Sequence, residues 1–292
     1  MILTCGRHAL DLSRPRVMGI LNLTSDSFSD GGELLRGDRL DGDALLRRAA
    51  AMVEAGADLL DLGAESTRPG AAPVPVSLEL ERIGEALRLL SARFDLVLSV
   101  DSSSPEVFRA AAAQGAGLLN DVRALQRPGA VEAAAASGLP VCLMHMQGEP
   151  RSMQDAPSYD DVVVDVSVFL KARLKAVAAA GLAPERVLFD PGFGFGKTLE
   201  HNLDLLAGLP QLAELGRPLL VGLSRKRMIG TLTGRDGGER MSGSVAAALL
   251  AVERGARIVR VHDVAPTVDA LRIAAALHDR SSMAPVAAAA RV

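Results

Sequence analysis

Residues Arg257–Val264 read RIVRVHDV. Ile258, Val259 and Val261 are β-branched, which favours a pleated strand. Side chains two apart on a strand share a face, so Arg260 and His262 project the same way. A cation and an imidazole side by side in an otherwise apolar strand need an explanation from the rest of the chain.

Seven more apolar runs precede this one: VMGILN (17–22), DLLDLGA (58–64), LVLSVD (96–101), GLLNDV (117–122), PVCLMHM (140–146), VLFDPG (187–192) and PLLVGLS (218–224). The eighth is ARIVRVHDV (256–264). Between them lie Ala- and Leu-rich stretches with helical apolar spacing, such as DALLRRAAAMVEAG and SGSVAAALLAVERG. Gly56 and Gly255 stand where such helices would end. Regular alternation of strand and helix predicts a parallel sheet. Eight repeats in 292 residues fit an α/β single-domain TIM (β/α)₈ barrel, which typically takes about 250 residues. A doubly wound open sheet is the competing architecture, but no G-x-G-x-x-G follows the first run. The predicted layout is a lead-in over 1–16, a barrel over 17–279, and a flexible tail over 280–292.

Composition narrows the function classes. The net charge of -3 offers no basic footprint for nucleic acid. No run is long and apolar enough to span a membrane. The first fifteen residues carry charges where a secretory leader needs its apolar run. Cys5 and Cys142 are far apart, without metal-ligand spacing, and read as reduced thiols of a cytoplasmic protein.

The runs end in polar residues. Asn22, Asp101, Asn120, Asp121 and Asp190 terminate strands, Lys226 follows one, and Arg260 and His262 lie in the last. In a (β/α)₈ barrel these ends converge on one mouth, where active sites are assembled. A single Asp at a strand end is commonly a cap of the next helix. Capping explains neither Arg-x-His within a strand nor a Lys beyond one. Carboxylates and amides can pair with the donor–acceptor edge of a flat heterocycle, whereas Arg and His suit phosphate oxygens. Aromatic residues make up only 3% of the chain and there is no Trp, so a guanidinium can replace an aromatic stacking platform. Two loops, LTSDSFSDGG (23–32) and ESTRPGAAPVP (65–75), have the composition of lids.

The blocks MGILNLTSDSFSDGG, DLGAESTRPGA, SVDS, LLNDV, MHMQGEPRSMQ, DPGFGFGKTLEHNLDLL, LVGLSRKRMIG and GSVAAALLAVERGARIVRVHDV together resemble the dihydropteroate synthase family, in order, over about residues 17–273. The resemblance implies transfer of a dihydropterin-methyl group from its pyrophosphate ester to p-aminobenzoate, assisted by Mg²⁺, in a cytoplasmic homodimer. It implies that Asp101, Asn120 and Asp190 read the pterin edge, and that Lys226 bonds the pterin beside the aminobenzoate site. Arg260 would stack on the pterin and reach phosphate, His262 would contact pyrophosphate, and Asn22 would be linked to Mg²⁺. Thr67 would contact the pyrophosphate or aminobenzoate side. Phe28, Arg68, Pro69, Phe195 and Ser224 would line the aminobenzoate pocket or its lids. Lys226, Arg260, His262 and Asp101 would carry the catalysis.

Three positions depart from the family pattern. Ser25 stands where Pro is usual, Ser102 where Thr is common, and Ala124 where Gly is common. If that glycine has positive φ, the backbone at Ala124 is expected to differ locally. Three other protein classes share part of this pattern. A corrinoid-serving pterin methyltransferase would share the pterin-edge residues. A Schiff-base aldolase would need a lysine within a strand, and a non-catalytic paralogue would keep only the barrel.

Overall fold

The computed structural model describes residues 1–24, 34–66, 74–150 and 152–282. Eight parallel strands close into a barrel. In chain order they are β1 (Arg16–Asn22), β2 (Leu59–Gly63), β3 (Val97–Asp101), β4 (Leu118–Asp121), β5 (Val141–Met144), β6 (Val187–Asp190), β7 (Leu219–Val221) and β8 (Ala256–Val261). Each pairs with its sequence neighbours, and β8 pairs with β1 to close the ring. All eight apolar runs contain a strand: β1 begins one residue before its run, at Arg16, the other seven are shorter than theirs, and Asn22, Asp101, Asp121 and Asp190 are the last residues of their strands.

The strand interiors explain how one sequence builds both core and site. Met18, Leu59, Val97, Leu118, Cys142, Leu188, Leu220 and Ile258, one from each strand, form a single buried cluster. Two residues further along, on the same inward face, stand Ile20, Asp61, Ser99, Asn120, Met144, Asp190, Gly222 and Arg260. The barrel lumen therefore changes from an apolar floor to a polar upper layer within one strand period. The outward faces, including Leu60, Leu62, Leu98, Val100 and Val259, pack against helix residues such as Leu45, Met52, Ile83 and Leu87.

The lead-in holds an unexpected element. Ile2–Cys5 and His8–Asp11 pair as an antiparallel hairpin. Leu3, Cys5, Leu10 and Leu12 join the floor cluster, so this hairpin seals the bottom of the barrel. Four-residue strands of mixed polarity give little periodic signal, so nothing in the sequence flagged it.

Helix punctuation follows local chemistry. Asp41 accepts the Ala44 N–H at the start of Gly42–Glu54. Gly56 and Gly255 each follow a helix end with φ of 99° and 103°, a conformation that glycine adopts without Cβ strain. The last helix, Val264–Ser282, runs past the expected boundary at 279. Among the described residues no helix is long and apolar enough to cross a membrane.

Candidate active site

The polar layer centres on Arg260. Its Nε donates to Asp61 Oδ2 at 2.6 Å and its Nη2 donates to Asp101 Oδ2 at 2.9 Å. Asp61 is completely buried, and Asp101 and Arg260 are half-buried. Burial disfavours the guanidinium charge, but the two carboxylates outweigh it and hold Arg260 firmly protonated. Burial raises the Asp101 carboxyl above its usual range, Arg260 opposes this, and Asp61 adds to it. Gly222, the residue after β7, lies beside Arg260, and a Cβ there would meet only the Arg260 Cβ, at 3.9 Å. Asn120, also buried, leans toward the same group, with Nδ2 at 3.4 Å from Asp61 Oδ2. The second Asp61 oxygen is buried and has no hydrogen-bond partner among the described residues.

Asp190 ends β6. Its carboxylate accepts the Gly192 N–H at 2.7 Å, and burial raises it above the usual range against the pull of Lys226 and Arg260. Lys226 lies beyond β7, with its ammonium 4.5 Å from the centre of the Phe195 ring and donating to the Phe193 carbonyl. Burial lowers Lys226 to about 8 despite the opposing charge of Asp190. Phe195 and Lys226 thus form one cation–π wall.

His262 follows β8. Ser224 Oγ accepts the His262 backbone N–H at 3.2 Å and lies 3.0 Å from its Nδ1. Ser224, expected beside the aminobenzoate, is thereby tied to the imidazole and fixes its plane. The next residue, Asp263, pairs with Arg225 through two bonds of 2.6 and 3.0 Å. Arg225 has φ of 57° and donates its N–H to Ser244 Oγ. Lys226 and His262 therefore belong to two loops that are bolted together. The Gly- and Arg-rich segment 233–241, unassigned from sequence, contributes Arg240, which reaches the Arg225 carbonyl at 3.3 Å.

Asn22 is the last residue of β1 and is half-buried, paired in register with Gly63 of β2. Gly63 pairs in turn with Asp101. Asp121, in contrast, serves structure. Its carboxylate accepts from Ser103, from the Arg123 N–H at 2.8 Å and from the Leu125 N–H at 2.7 Å. The turn it caps places Ala124 at φ 51° and Leu125 at φ 57°. The expectation that the backbone would change at Ala124 is corrected: the left-handed conformation is present with an alanine in it. Arg173 bonds the carbonyls of both residues, which over-determines the strained turn.

Phe28, Thr67, Arg68 and Pro69, with the departure at Ser25, lie outside the described residues. The structure brings together Asp101, Asn120, Asp190, Lys226, Arg260, His262, Ser224 and Phe195 around one mouth. Two residues escaped the sequence reading. Asp61 sits inside the second apolar run, where only its inward parity with Leu59 distinguishes it. Lys197 lies in the loop after β6, buried, with its ammonium 3.0 Å from His145 Nδ1.

A parallel barrel with a charged polar layer below a cationic rim has the donors and acceptors to suit a flat, donor-rich heterocycle bearing an anionic group. The sequence profile of the family described as pterin binding enzyme matches residues 18–262. The dihydropteroate synthase of Escherichia coli K12 is 52% identical over 265 residues, covering 91% of this chain and 92% of that one. The Xanthomonas albilineans dihydropteroate synthase with 4-aminobenzoic acid superposes with a TM-score of 0.88 at 53% identity, covering 97% of this chain and 99% of that one. The same species' enzyme in complex with 7,8-dihydropteroate gives 0.85 at 50% identity, over 98% and 100%. This chain belongs to the dihydropteroate synthase family of pterin-binding enzymes.

Proposed function

We propose that this chain joins 6-hydroxymethyl-7,8-dihydropterin pyrophosphate to p-aminobenzoate, giving 7,8-dihydropteroate and pyrophosphate. The observation that carries the reading is Arg260 gripped between Asp61 and Asp101 in a layer shared with Asn120 and Asp190. A buried carboxylate oxygen without a donor, as at Asp61, is costly, and a ligand rich in ring N–H groups suits such a layer. Asp101, Asn120 and Asp190 read the pterin edge. The planar face of Arg260, left open by its edge-on ion pairs, stacks on the ring. Thr67, Arg68, Pro69 and Phe28 serve the aminobenzoate and pyrophosphate side.

The reaction breaks the bond between the exocyclic CH₂ and the pyrophosphate oxygen, and the electron pair leaves with pyrophosphate. Ring electrons stabilise the cationic carbon, so the displacement has strong SN1 character. Arg260 and His262 stabilise the departing charge. The neutral arylamine supplies the electron pair of the new C–N bond and then loses a proton to solvent. A free arylamine needs no strong general base. Asp101 and Asp190 favour the cationic ring electrostatically, and Lys226 with Phe195 walls the incoming amine.

Mg²⁺ fits this donor set. The described residues contain no group of three His, Cys, Asp or Glu able to hold a resident ion. Asn22, half-buried at the end of β1, would be the protein ligand, and Mg²⁺ commonly takes one or two protein ligands plus substrate phosphates and waters. Bound there with the substrate, it would neutralise pyrophosphate charge. The barrel over 17–279 is proposed to act as one domain in a cytoplasmic homodimer. The buried free thiols Cys5 and Cys142 suit a reducing compartment. Ile273 and Leu277, one helical turn apart and strongly exposed on the last helix, suit a subunit contact.

The test is pyrophosphate release with purified protein, Mg²⁺, the pterin pyrophosphate and p-aminobenzoate. Release that requires p-aminobenzoate, with dihydropteroate identified by mass, is expected. Pterin binding without any release would overturn the assignment in favour of a non-catalytic or methyl-transferring barrel. Sedimentation of the same sample tests the dimer.

A further inference from the structure

The loop after β6 reads GFGFGK, and its five carbonyls from Gly192 to Gly196 are all captured by side chains. Lys197 donates to Gly192 at 3.0 Å and to Phe195 at 3.1 Å. Lys226 donates to Phe193, Gln154 to Gly194 at 2.5 Å, and Tyr159 to Gly196 at 2.7 Å. The Gly194 N–H donates to Asn202 Oδ1 at 2.7 Å. Gly192 and Gly196 have φ of 69° and 60°, and a Cβ at either would collide with the backbone of His145 or Gln147. The loop is therefore pressed against the segment after β5, and Lys197 is the pin beneath it.

Lys197 is almost fully buried, and its three donors meet three acceptors: Gly192, Phe195 and His145 Nδ1. The groups facing this ammonium are His145, Tyr159, Lys226 and Asp190. Burial, then Lys226, lowers Lys197 to about 7, with Asp190 opposing. Burial, then Lys197, lowers His145 to about 3, which keeps its ring neutral and able to accept. A buried cation of this kind is costly unless every donor is used. A merely stabilising role would be filled more cheaply by an apolar side chain of similar volume.

We propose that Lys197 is a positioning residue for the p-aminobenzoate half of the site. It fixes the Phe195 carbonyl, and so the backbone beneath the ring that lies against Lys226, and none of its three hydrogen bonds goes to a side chain of the pterin layer. This rests on the function proposed above. Lys197 bonds the Gly192 and Phe195 carbonyls and Lys226 bonds the Phe193 carbonyl between them, so two lysines hold the backbone of the loop while Lys226 alone faces the Phe195 ring.

The test uses the full chain and two readouts. In Lys197→Met, the KM for p-aminobenzoate should rise about tenfold or more, because small misplacements of a binding wall are expensive. Affinity for the pterin pyrophosphate with Mg²⁺, by calorimetry, should stay within about threefold of wild type. Equal losses for both ligands, or an unchanged KM, would overturn the proposal. The second readout needs no turnover, so it separates failure of this idea from failure of the functional assignment. The chain has no Trp, so Phe195→Trp creates a single reporter. Adding Lys197→Met should red-shift its emission and lower its anisotropy, and an unchanged spectrum would sink the proposal. If Lys197→Met does not fold, His145→Leu removes one acceptor and should act in the same direction. His145→Asn, which keeps an acceptor, should restore the wild-type values. No difference between the two His145 variants would count against the pin.

Discussion

Arg260 spans two carboxylates from neighbouring strands, 2.6 Å from Asp61 on β2 and 2.9 Å from Asp101 on β3. Its edge is therefore spoken for, and its orientation is set before any ligand arrives. Breaking one partner of a buried ion pair costs about 3 kcal/mol, equivalent to about 100-fold. Asp61→Asn should thus reduce kcat/KM for the pterin pyrophosphate by about 100-fold, with the circular dichroism spectrum unchanged. Kinetics within threefold of wild type would show that Asp101 alone orients the guanidinium.

Asp190 ends β6 with a buried carboxyl group, raised above its usual range by burial, that would accept from ring N–H donors under the function proposed above. Asp190→Ala should reduce pterin affinity by at least about 100-fold, because the donors are desolvated without an acceptor. Calorimetry reads this directly, and near-normal affinity would remove Asp190 from the pterin edge.

His262 is held by Ser224 at the rim, away from the ring-reading layer. His262→Ala should weaken the pyrophosphate-bearing pterin by about tenfold or more and the bare hydroxymethylpterin by about twofold at most. Equal losses would mark a structural imidazole.

Lys226, lowered to about 8 by burial, titrates within reach of assay conditions. Its folded-state value lies below the ordinary lysine value, so the ammonium is lost as pH rises through about 8. The profile of kcat/KM for the pterin substrate should fall above that pH. Lys226→Arg should lack this alkaline limb while retaining a cation at lower activity. A limb that persists in the variant would belong to another group.

His145 is lowered to about 3, so the unfolded chain binds a proton that the folded chain refuses between about 6.5 and 3. Its neutral, buried state therefore favours folding fully above that window and progressively less as pH falls through it. Compared with His145→Asn, the wild-type protein should lose about 2 to 3 kcal/mol more stability between pH 7 and pH 4. Parallel urea-denaturation midpoints for the two proteins would refute it.

The barrel was legible because each strand is a short apolar run and each following helix keeps its period. The mouth was legible because Asp101, Asn120, Asp190 and Arg260 interrupt that apolarity at the strand ends. Asp61 was hidden by the same logic, since an aspartate inside DLLDLGA looks like a strand boundary until parity with Leu59 is counted. Lys197 was missed, and the contact of Ser224 with His262 was not foreseen, because the partners lie 52 and 38 residues away in sequence. Ala124 was read through what glycine usually does, whereas Asp121 and Arg173 supply enough bonds to hold an alanine in the left-handed region.

The hairpin at the start of the chain backs an apolar floor that already fills the lower barrel, so the polar layer opens only toward the rim. Whatever reaches the polar layer must enter past the rim and leave by the same route. Under the function proposed above, a pterin seated in that layer would load before the aromatic amine covers it. The finished product must withdraw amine end first. A single order of binding and release would thus follow from a floor to which a pair of four-residue strands at the far end of the molecule contributes.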